Sequence, residues 1–226
     1  MARQQQKNLT KRCLLPLILC SFLISCSGSQ ESVASYGTRA TLVISSTPVT
    51  KLVLPQVRTP LLNTVVIIGD SLTVGTELYG TTLTQRLYDA EITNAFVLAE
   101  NGRTTSEGID ELERFMLTEG VVVLALGTND VASGTPDVFG EYIDRAVAAV
   151  PESVDIYWLN LYTDHWVSDD AYNEIIAQKA RVYSNLFVMD FETFASPNWL
   201  EEDGVHLTPD GYISRTAFII TELGLN

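Results

Sequence analysis

Cysteine is scarce in this chain of 226 residues, and all three copies lie within the first 26 positions. Beyond Cys26 the sequence therefore excludes a disulfide scaffold, a cysteine-ligated metal site and a cysteine nucleophile. Histidine is also rare, and its two copies, His165 and His206, are too few for a metal centre built from several histidines. We expect no metal ion and no cofactor.

Basic side chains are half as numerous as acidic ones, with 14 Lys and Arg against 28 Asp and Glu, for a net charge of −14. Such a chain repels phosphate backbones, so no nucleic-acid partner is expected. The phosphate-binding patterns G-x-G-x-x-G and G-x-x-x-x-G-K-[ST] are absent. Hydrophobic residues make up 46% of the chain, which is enough to bury a core and excludes a wholly disordered protein.

The N-terminus has the layout of an export signal. Its basic residues are Arg3, Lys7, Lys11 and Arg12. An apolar segment, 13–25, follows and is shorter than the roughly 20 residues that span a bilayer. It ends in Leu23-Ile24-Ser25-Cys26, which resembles the lipobox of bacterial lipoproteins. The resemblance implies a signal peptide at 1–25 and a lipid on the Cys26 sulfur, which would anchor the chain at the extracytoplasmic face of the cell membrane. A plain secretory signal is the alternative.

Two further regions are predicted from composition. Residues 26–63 are rich in Ser and Thr and contain Pro48, Pro55 and Pro60, which favours a flexible tether, with partial packing on the domain as the alternative. Residues 64–226 are predicted to form the folded domain, because apolar runs alternate there with helical stretches. The predicted strands are Thr64–Gly69, Ala95–Ala99, Val121–Leu126, Val154–Leu161 and Leu186–Asp190. The predicted helices are Thr76–Ala90, Ser106–Glu119, Thr135–Val150, Asp169–Tyr183 and Thr208–Leu223.

This alternation predicts an α/β fold with a doubly wound, five-stranded parallel sheet between two layers of helices. In such folds the chemistry gathers at the carboxyl ends of the strands. Four polar segments lie next to those ends: Gly69-Asp70-Ser71-Leu72, Asn101-Gly102-Arg103-Thr104, Gly127-Thr128-Asn129-Asp130 and Asp203-Gly204-Val205-His206. Each alone fits an ordinary turn or a helix cap.

Their residue types fit nucleophilic catalysis. A serine at the turn into a helix offers a hydroxyl, and Asp203 lies three residues before His206, close enough to orient an imidazole base. A glycine can present its N–H to a ligand without a side chain in the way, and the Asn129 carboxamide can donate to an oxyanion. No G-x-S-x-G motif occurs, which disfavours the α/β-hydrolase type of serine enzyme.

Together, the four segments resemble the motif blocks of the GDSL, or SGNH, hydrolase family over about residues 64–226. The resemblance implies that Ser71, His206 and Asp203 are catalytic, and that the Ser71 N–H, the Gly102 N–H and the Asn129 side chain form the oxyanion hole. It implies a three-layer, flavodoxin-like fold and a small-molecule or glycan ester as substrate. Arg103 adds bulk beside Gly102 and departs from the small residues usual in that block.

The implied function is an extracytoplasmic serine esterase that forms an acyl-enzyme on Ser71. An O-acyltransferase acting on cell-envelope glycan and a non-catalytic glycan-binding lipoprotein are the alternatives. His165 is the one rival base in the sequence, and we expect it to line the pocket wall. Tyr162 and Trp166 are equally compatible with substrate stacking and with simple packing.

Overall fold

The computed structural model describes residues 62–131, 136–164 and 169–225. Its strands are β1 (Thr64–Gly69), β2 (Asn94–Ala99), β3 (Val121–Ala125), β4 (Asp155–Leu159) and β5 (Leu186–Met189). The helices of these residues are α1 (Ser71–Thr76), α2 (Leu83–Asp89), α3 (Thr105–Phe115), α4 (Thr128–Val131), α5 (Pro136–Ala148), α6 (Asp169–Val182), α7 (Phe191–Phe194) and α8 (Pro209–Glu222), with a 3₁₀ turn at Pro197–Trp199. Within these ranges no helix is long and apolar enough to cross a membrane.

The five strands form one sheet in the order β2-β1-β3-β4-β5, and every neighbouring pair is parallel. The predicted α/β fold with a five-stranded parallel sheet is thus confirmed. The chain moves to one side of β1 to form β2 and to the other side to form β3. Such a reversal opens a crevice at the carboxyl ends of the central strands, where doubly wound proteins bind their ligands.

The central strands β1, β3 and β4 are buried on both faces, as their apolar sequences require, whereas the edge strands β2 and β5 are partly exposed. Side chains of β1 alternate, so Val65 and Ile67 face one core while Val66 and Ile68 face the other. The first core packs against α1, α2 and α8, and the second against α3, α5 and α6. These two cores fix the sheet between its helical layers and so hold the strand ends in place.

The first predicted helix, Thr76–Ala90, is only partly found: α2 covers Leu83–Asp89 within it, and a separate short helix, α1, ends at Thr76 where the prediction began. The Asp70 carboxylate accepts a hydrogen bond from the Leu72 N–H and starts α1 at Ser71. The Thr82 hydroxyl caps α2 by accepting from the Gln85 N–H. Each cap satisfies an N–H that has no partner inside its helix, so one helix starts before the predicted range and the other starts seven residues into it.

Helix α1 packs against α8 at Gly75, and this contact requires a glycine. A Cβ on Gly75 would lie 2.0 Å from the Tyr212 ring, whereas a Cβ on Gly140, in α5, would meet Ile175 at an ordinary 3.4 Å.

We expect Gly75→Ala to lower the free energy of unfolding by about 1–3 kcal/mol through overpacking. Gly140→Ala, the matched control, should raise it by up to about 1 kcal/mol. Urea unfolding measures both, and equal effects of the two substitutions would contradict this packing.

Candidate active site

Ser71 lies at the carboxyl edge of the sheet because β1 ends at Gly69 and α1 begins at Ser71. Asp70 occupies the single position between them and caps the helix. As the first residue of α1, Ser71 has a main-chain N–H without an acceptor inside the helix. The turn thus presents a hydroxyl and an N–H of the same residue at the crevice.

His206 lies on a loop that the core holds in place. Its neighbours Val205 and Leu207 are buried, while His206 itself is partly exposed. Main-chain hydrogen bonds close the loop, with the Glu201 N–H donating to the His206 carbonyl at 2.8 Å. The Asp164 N–H donates to the Gly204 carbonyl at 3.0 Å and ties the loop to the segment after β4. Alternation of buried and exposed side chains therefore directs the imidazole away from the core.

A continuous chain of hydrogen bonds joins the three predicted catalytic residues. His206 Nε2 lies 3.1 Å from Ser71 Oγ, and His206 Nδ1 lies 2.7 Å from Asp203 Oδ2. An ionised carboxylate only accepts hydrogen bonds, so Nδ1 carries the proton and Nε2 of the neutral ring accepts from the serine hydroxyl. This is the arrangement in which an imidazole acts as general base toward a hydroxyl.

Asp203 is held in its ionised form. Its carboxylate accepts from the His206 ring, and Oδ1 also accepts from the Val205 and His206 N–H groups, each at 2.9 Å. These hydrogen bonds, that of the imidazole first, lower the pKa of Asp203 to about 2. The carboxylate therefore stays charged at neutral pH, where it orients the ring and stabilises an imidazolium.

The two other predicted oxyanion donors lie on neighbouring strand ends. Gly102 follows β2 with φ of +77°, and a Cβ there would meet no atom within 4 Å. The backbone conformation, rather than lack of space, therefore favours glycine at this position. Asn129 lies in α4, after β3, and its Nδ2 donates to the Arg103 carbonyl at 3.0 Å. A hydrogen bond thus links the Asn129 carboxamide to the turn that carries Gly102.

Asp130 lies beside the proposed site, and sequence reasoning left it without a role. It is buried, and its Oδ2 accepts from both the N–H and the hydroxyl of Thr105, at 2.9 and 2.7 Å. Burial raises the pKa of Asp130, and the two Thr105 hydrogen bonds oppose that shift. The contact fixes the start of α3 against α4, so two adjacent residues of α4 hold the segment that follows Gly102, at Arg103 and at Thr105. Since 25 residues separate Asp130 from Thr105, no local pattern indicates the pair.

A buried pair of opposite charges underlies the nucleophile. Asp70 and Arg215, the latter in α8, are 1% and 4% exposed, and the guanidinium lies 4.9 Å above the Phe191 ring. Burial raises the pKa of Asp70, and the positive charge of Arg215 opposes this shift most strongly. Burial likewise lowers the pKa of Arg215 to about 10, against the influence of Asp70. Asp70 lies on the turn that bears Ser71 and Arg215 on the helix that follows His206, and among the described residues Asp70 Oδ2 and Arg215 Nε have no hydrogen-bond partner.

The remaining predictions have mixed outcomes. Tyr162 is partly buried and packs edge-on against Phe191, with ring centroids 6.5 Å apart, so packing accounts for it. The Arg103 side chain is 10% exposed and contacts strand-end carbonyls, so it is directed away from solvent. His165, Trp166 and Cys26 lie outside the described residues.

The lowered pKa of Asp203 makes a testable contribution to stability. A carboxyl that binds its proton more weakly in the folded state stabilises that state above its unfolded pKa, near 3.8, and loses this effect as pH falls toward 2. We expect wild type to exceed Asp203→Asn in free energy of unfolding at pH 6, and the difference to shrink by pH 2.5. Urea unfolding at both pH values measures it, with Glu202→Gln, an exposed change in the same turn, as control. A difference independent of pH would contradict the assignment.

Comparisons with known proteins identify the family of this domain. The model of the GDSL-like Lipase/Acylhydrolase family matches residues 67–212, which include all five predicted site residues of the domain. Among curated proteins, no sequence matches significantly.

Solved structures share the fold at low sequence identity. A lipase/acylhydrolase from Enterococcus faecalis is 20% identical, with a TM-score of 0.57 over 71% of this chain and 94% of that one. The C-terminal catalytic domain of a peptidoglycan O-acetyltransferase from Streptococcus pneumoniae is 17% identical, with a TM-score of 0.55 over 72% and 93%. A mutant acetyl esterase crystallised with acetate ion is 15% identical, with a TM-score of 0.56 over 71% and 95%.

The family match covers more than half of the chain and spans the Ser71, Gly102, Asn129 and His206 segments. The chain therefore belongs to the GDSL-like lipase/acylhydrolase family and is an SGNH-type hydrolase that acts on esters.

Proposed function

We propose that the protein is an extracytoplasmic, membrane-anchored serine esterase that hydrolyses acyl or acetyl esters through an acyl-enzyme on Ser71. The observation that carries this proposal is the hydrogen-bonded series from Ser71 Oγ through the His206 ring to Asp203. Serine needs a neighbouring base to become a useful nucleophile, and this base is in turn oriented by a carboxylate. Membership of the family indicates the class of reaction, and the residues of the site provide the chemical groups that each step needs.

In the acylation step, Ser71 Oγ attacks the ester carbonyl carbon while His206 Nε2 takes the hydroxyl proton. The carbonyl oxygen becomes an oxyanion, which the Ser71 N–H, the Gly102 N–H and the Asn129 carboxamide stabilise. One such donor typically contributes a factor of about 10²–10³ to the rate. Collapse of the intermediate breaks the bond to the alcohol, and the His206 imidazolium returns its proton to the leaving oxygen.

In the deacylation step, His206 removes a proton from a hydroxyl compound that attacks the acyl-serine. The His206 and Asp203 side chains are 45% and 53% exposed, so small hydroxyl compounds can approach the base from solvent. Water gives the free acid, and a sugar hydroxyl gives a new ester. Both outcomes use the same residues and differ only in the acceptor.

An O-acyltransferase acting on cell-envelope glycan is therefore the second candidate. The resemblance in fold to the catalytic domain of a peptidoglycan O-acetyltransferase supports it. The half-exposed base also suits a large acceptor. Adding a soluble glycan acceptor separates the two candidates: an esterase keeps releasing free acid at the same rate, whereas a transferase diverts acyl groups to the glycan.

The site assignment is tested by Ser71→Ala, which removes the nucleophile and leaves the rest of α1 in place. We expect kcat on short p-nitrophenyl esters to fall at least about 10⁴-fold, and labelling by a fluorophosphonate to disappear. Ser184→Ala, an exposed serine before β5, is the control and should retain both. Turnover that survives in Ser71→Ala would reject this nucleophile. Glycan binding without any ester turnover in wild type would favour the non-catalytic alternative.

The proposed location depends on Cys26, with 1–25 as a cleaved lipoprotein signal, 26–63 as a tether and 64–226 as the hydrolase domain. The acidic chain gains little from an anionic membrane surface, so attachment would depend on acyl chains, each buried CH₂ contributing about 0.8 kcal/mol.

In a bacterial host, we expect Cys26→Ala to abolish incorporation of labelled palmitate and to move the protein from the detergent phase to the aqueous phase in phase partitioning. Cys20→Ala, a change inside the apolar segment, is the control and should leave both properties unchanged. Lipid labelling that persists in Cys26→Ala would contradict the assignment of the anchor.

A further inference from the structure

Arg103 makes contacts that a surface arginine does not make. Its guanidinium donates through Nη1 to the carbonyls of Gly69, at 3.2 Å, and of Leu98. Nη2 donates to Glu100 at 3.2 Å. The side chain is only 10% exposed, whereas that of Glu100 is 71% exposed. The contacts to the carbonyls are therefore the sheltered ones, and the ion pair with Glu100 is screened by solvent.

The two carbonyls lie at the ends of adjacent strands. Gly69 is the last residue of β1, two positions before Ser71, and Leu98 is the second-last residue of β2, four positions before Gly102. The Gly69 carbonyl also accepts from the Glu100 N–H at 3.2 Å. One guanidinium thus joins the strand that leads to the nucleophile to the strand that leads to the glycine turn. Arginine suits this task because its donors are arranged in a rigid planar fork.

The main chain of Arg103 completes the connection. Its carbonyl accepts from Asn129 Nδ2 at 3.0 Å, and this hydrogen bond sets the orientation of the carboxamide plane. Arg103 also follows Gly102 directly, so any shift of the residue moves the Gly102 peptide. All three proposed oxyanion donors are therefore within four residues of a group that Arg103 contacts.

We propose that Arg103 is a positioning residue that holds the Ser71, Gly102 and Asn129 donors in one mutual arrangement by bridging the Gly69 and Leu98 carbonyls. This inference rests on the proposed esterase function. Donors stabilise an oxyanion only when they are already aimed at it, so a displacement of about 1 Å costs up to roughly 10²-fold in rate. The departure from a small residue at this position thus has a function, because the long side chain reaches back to the sheet.

The test compares Arg103→Met and Arg103→Lys with wild type in steady-state hydrolysis of a short p-nitrophenyl ester. We expect Arg103→Met to lower kcat by about 10–100-fold while KM changes less than about 3-fold, because donors that act on the transition state are displaced. Arg103→Lys keeps a cation without the planar fork and should lose less. Arg145→Met, which removes an arginine bonded to Asp110 and Glu113 on α3, is the matched control and should retain kcat.

A double variant separates positioning from general structural support. If Arg103 acts through the oxyanion donors, its substitution matters less once Asn129 is gone. The combined loss in kcat of Arg103→Met with Asn129→Ala should then be at least about 3-fold smaller than the product of the single losses, because one of the three donors is no longer there to be displaced. Losses that multiply, or a folded Arg103→Met with wild-type kcat, would overturn the inference.

Two further results, an unfolded Arg103→Met variant and an inactive wild type, also decide the inference. If Arg103→Met does not fold, as judged by circular dichroism, Arg103→Lys decides: reduced kcat at an unchanged KM supports the inference, and wild-type kcat overturns it. Wild type without turnover of any ester and without fluorophosphonate labelling of Ser71 would overturn the esterase function itself, together with this inference. An active wild type beside an equally active Arg103 variant removes the inference alone.

Discussion

The hydrogen bond between Ser71 Oγ and His206 Nε2 is the contact on which the proposed chemistry depends, and it joins residues 135 positions apart in the chain. Neither residue is held by the other. Ser71 is placed by the end of β1 and the Asp70 cap, and His206 by a loop whose buried side chains Val205 and Leu207 sit in the core. The 3.1 Å separation therefore depends on how the fold places two elements that are far apart in the chain.

The strand order explains why the other groups converge on the same place. With β1 between β2 and β3, the segments that follow these three strands leave the sheet side by side. Hydrogen bonds between these segments then fix their positions relative to one another. Asp130 holds Thr105, Asn129 holds the Arg103 carbonyl, and the Arg103 side chain holds the ends of β1 and β2. The site thus combines a general feature of parallel sheets with a small number of specific polar bonds.

Much of this was accessible from the sequence. Apolar runs predicted all five strands, and those of β1 and β3 are continuous because a strand buried on both faces has few polar positions. The Asp203–His206 contact was predictable because three residues in one turn bring the two side chains together. Helix α1 and the late start of α2 were missed, because the caps at Asp70 and Thr82, rather than the apolar pattern of 76–90, set where these helices begin.

The contacts of Arg103 and Asp130 could not be predicted for a different reason. The partners of the Arg103 guanidinium include main-chain carbonyls, which every residue has, so no sequence pattern marks them. Asp130 and Thr105 show no connection in the sequence until the fold brings α3 and α4 together. Polar bonds between distant segments become visible only when the tertiary arrangement is known.

Arg215 gives the last helix a significance beyond its apolar packing. A chain truncated after Leu207 would retain Ser71, His206 and every proposed oxyanion donor. It would lack the Arg215 guanidinium, whose charge opposes the rise in the pKa of Asp70 that burial causes. The carboxyl that caps the nucleophile's helix would then have lost its compensating charge. The minimal hydrolase unit therefore extends well past its final catalytic side chain.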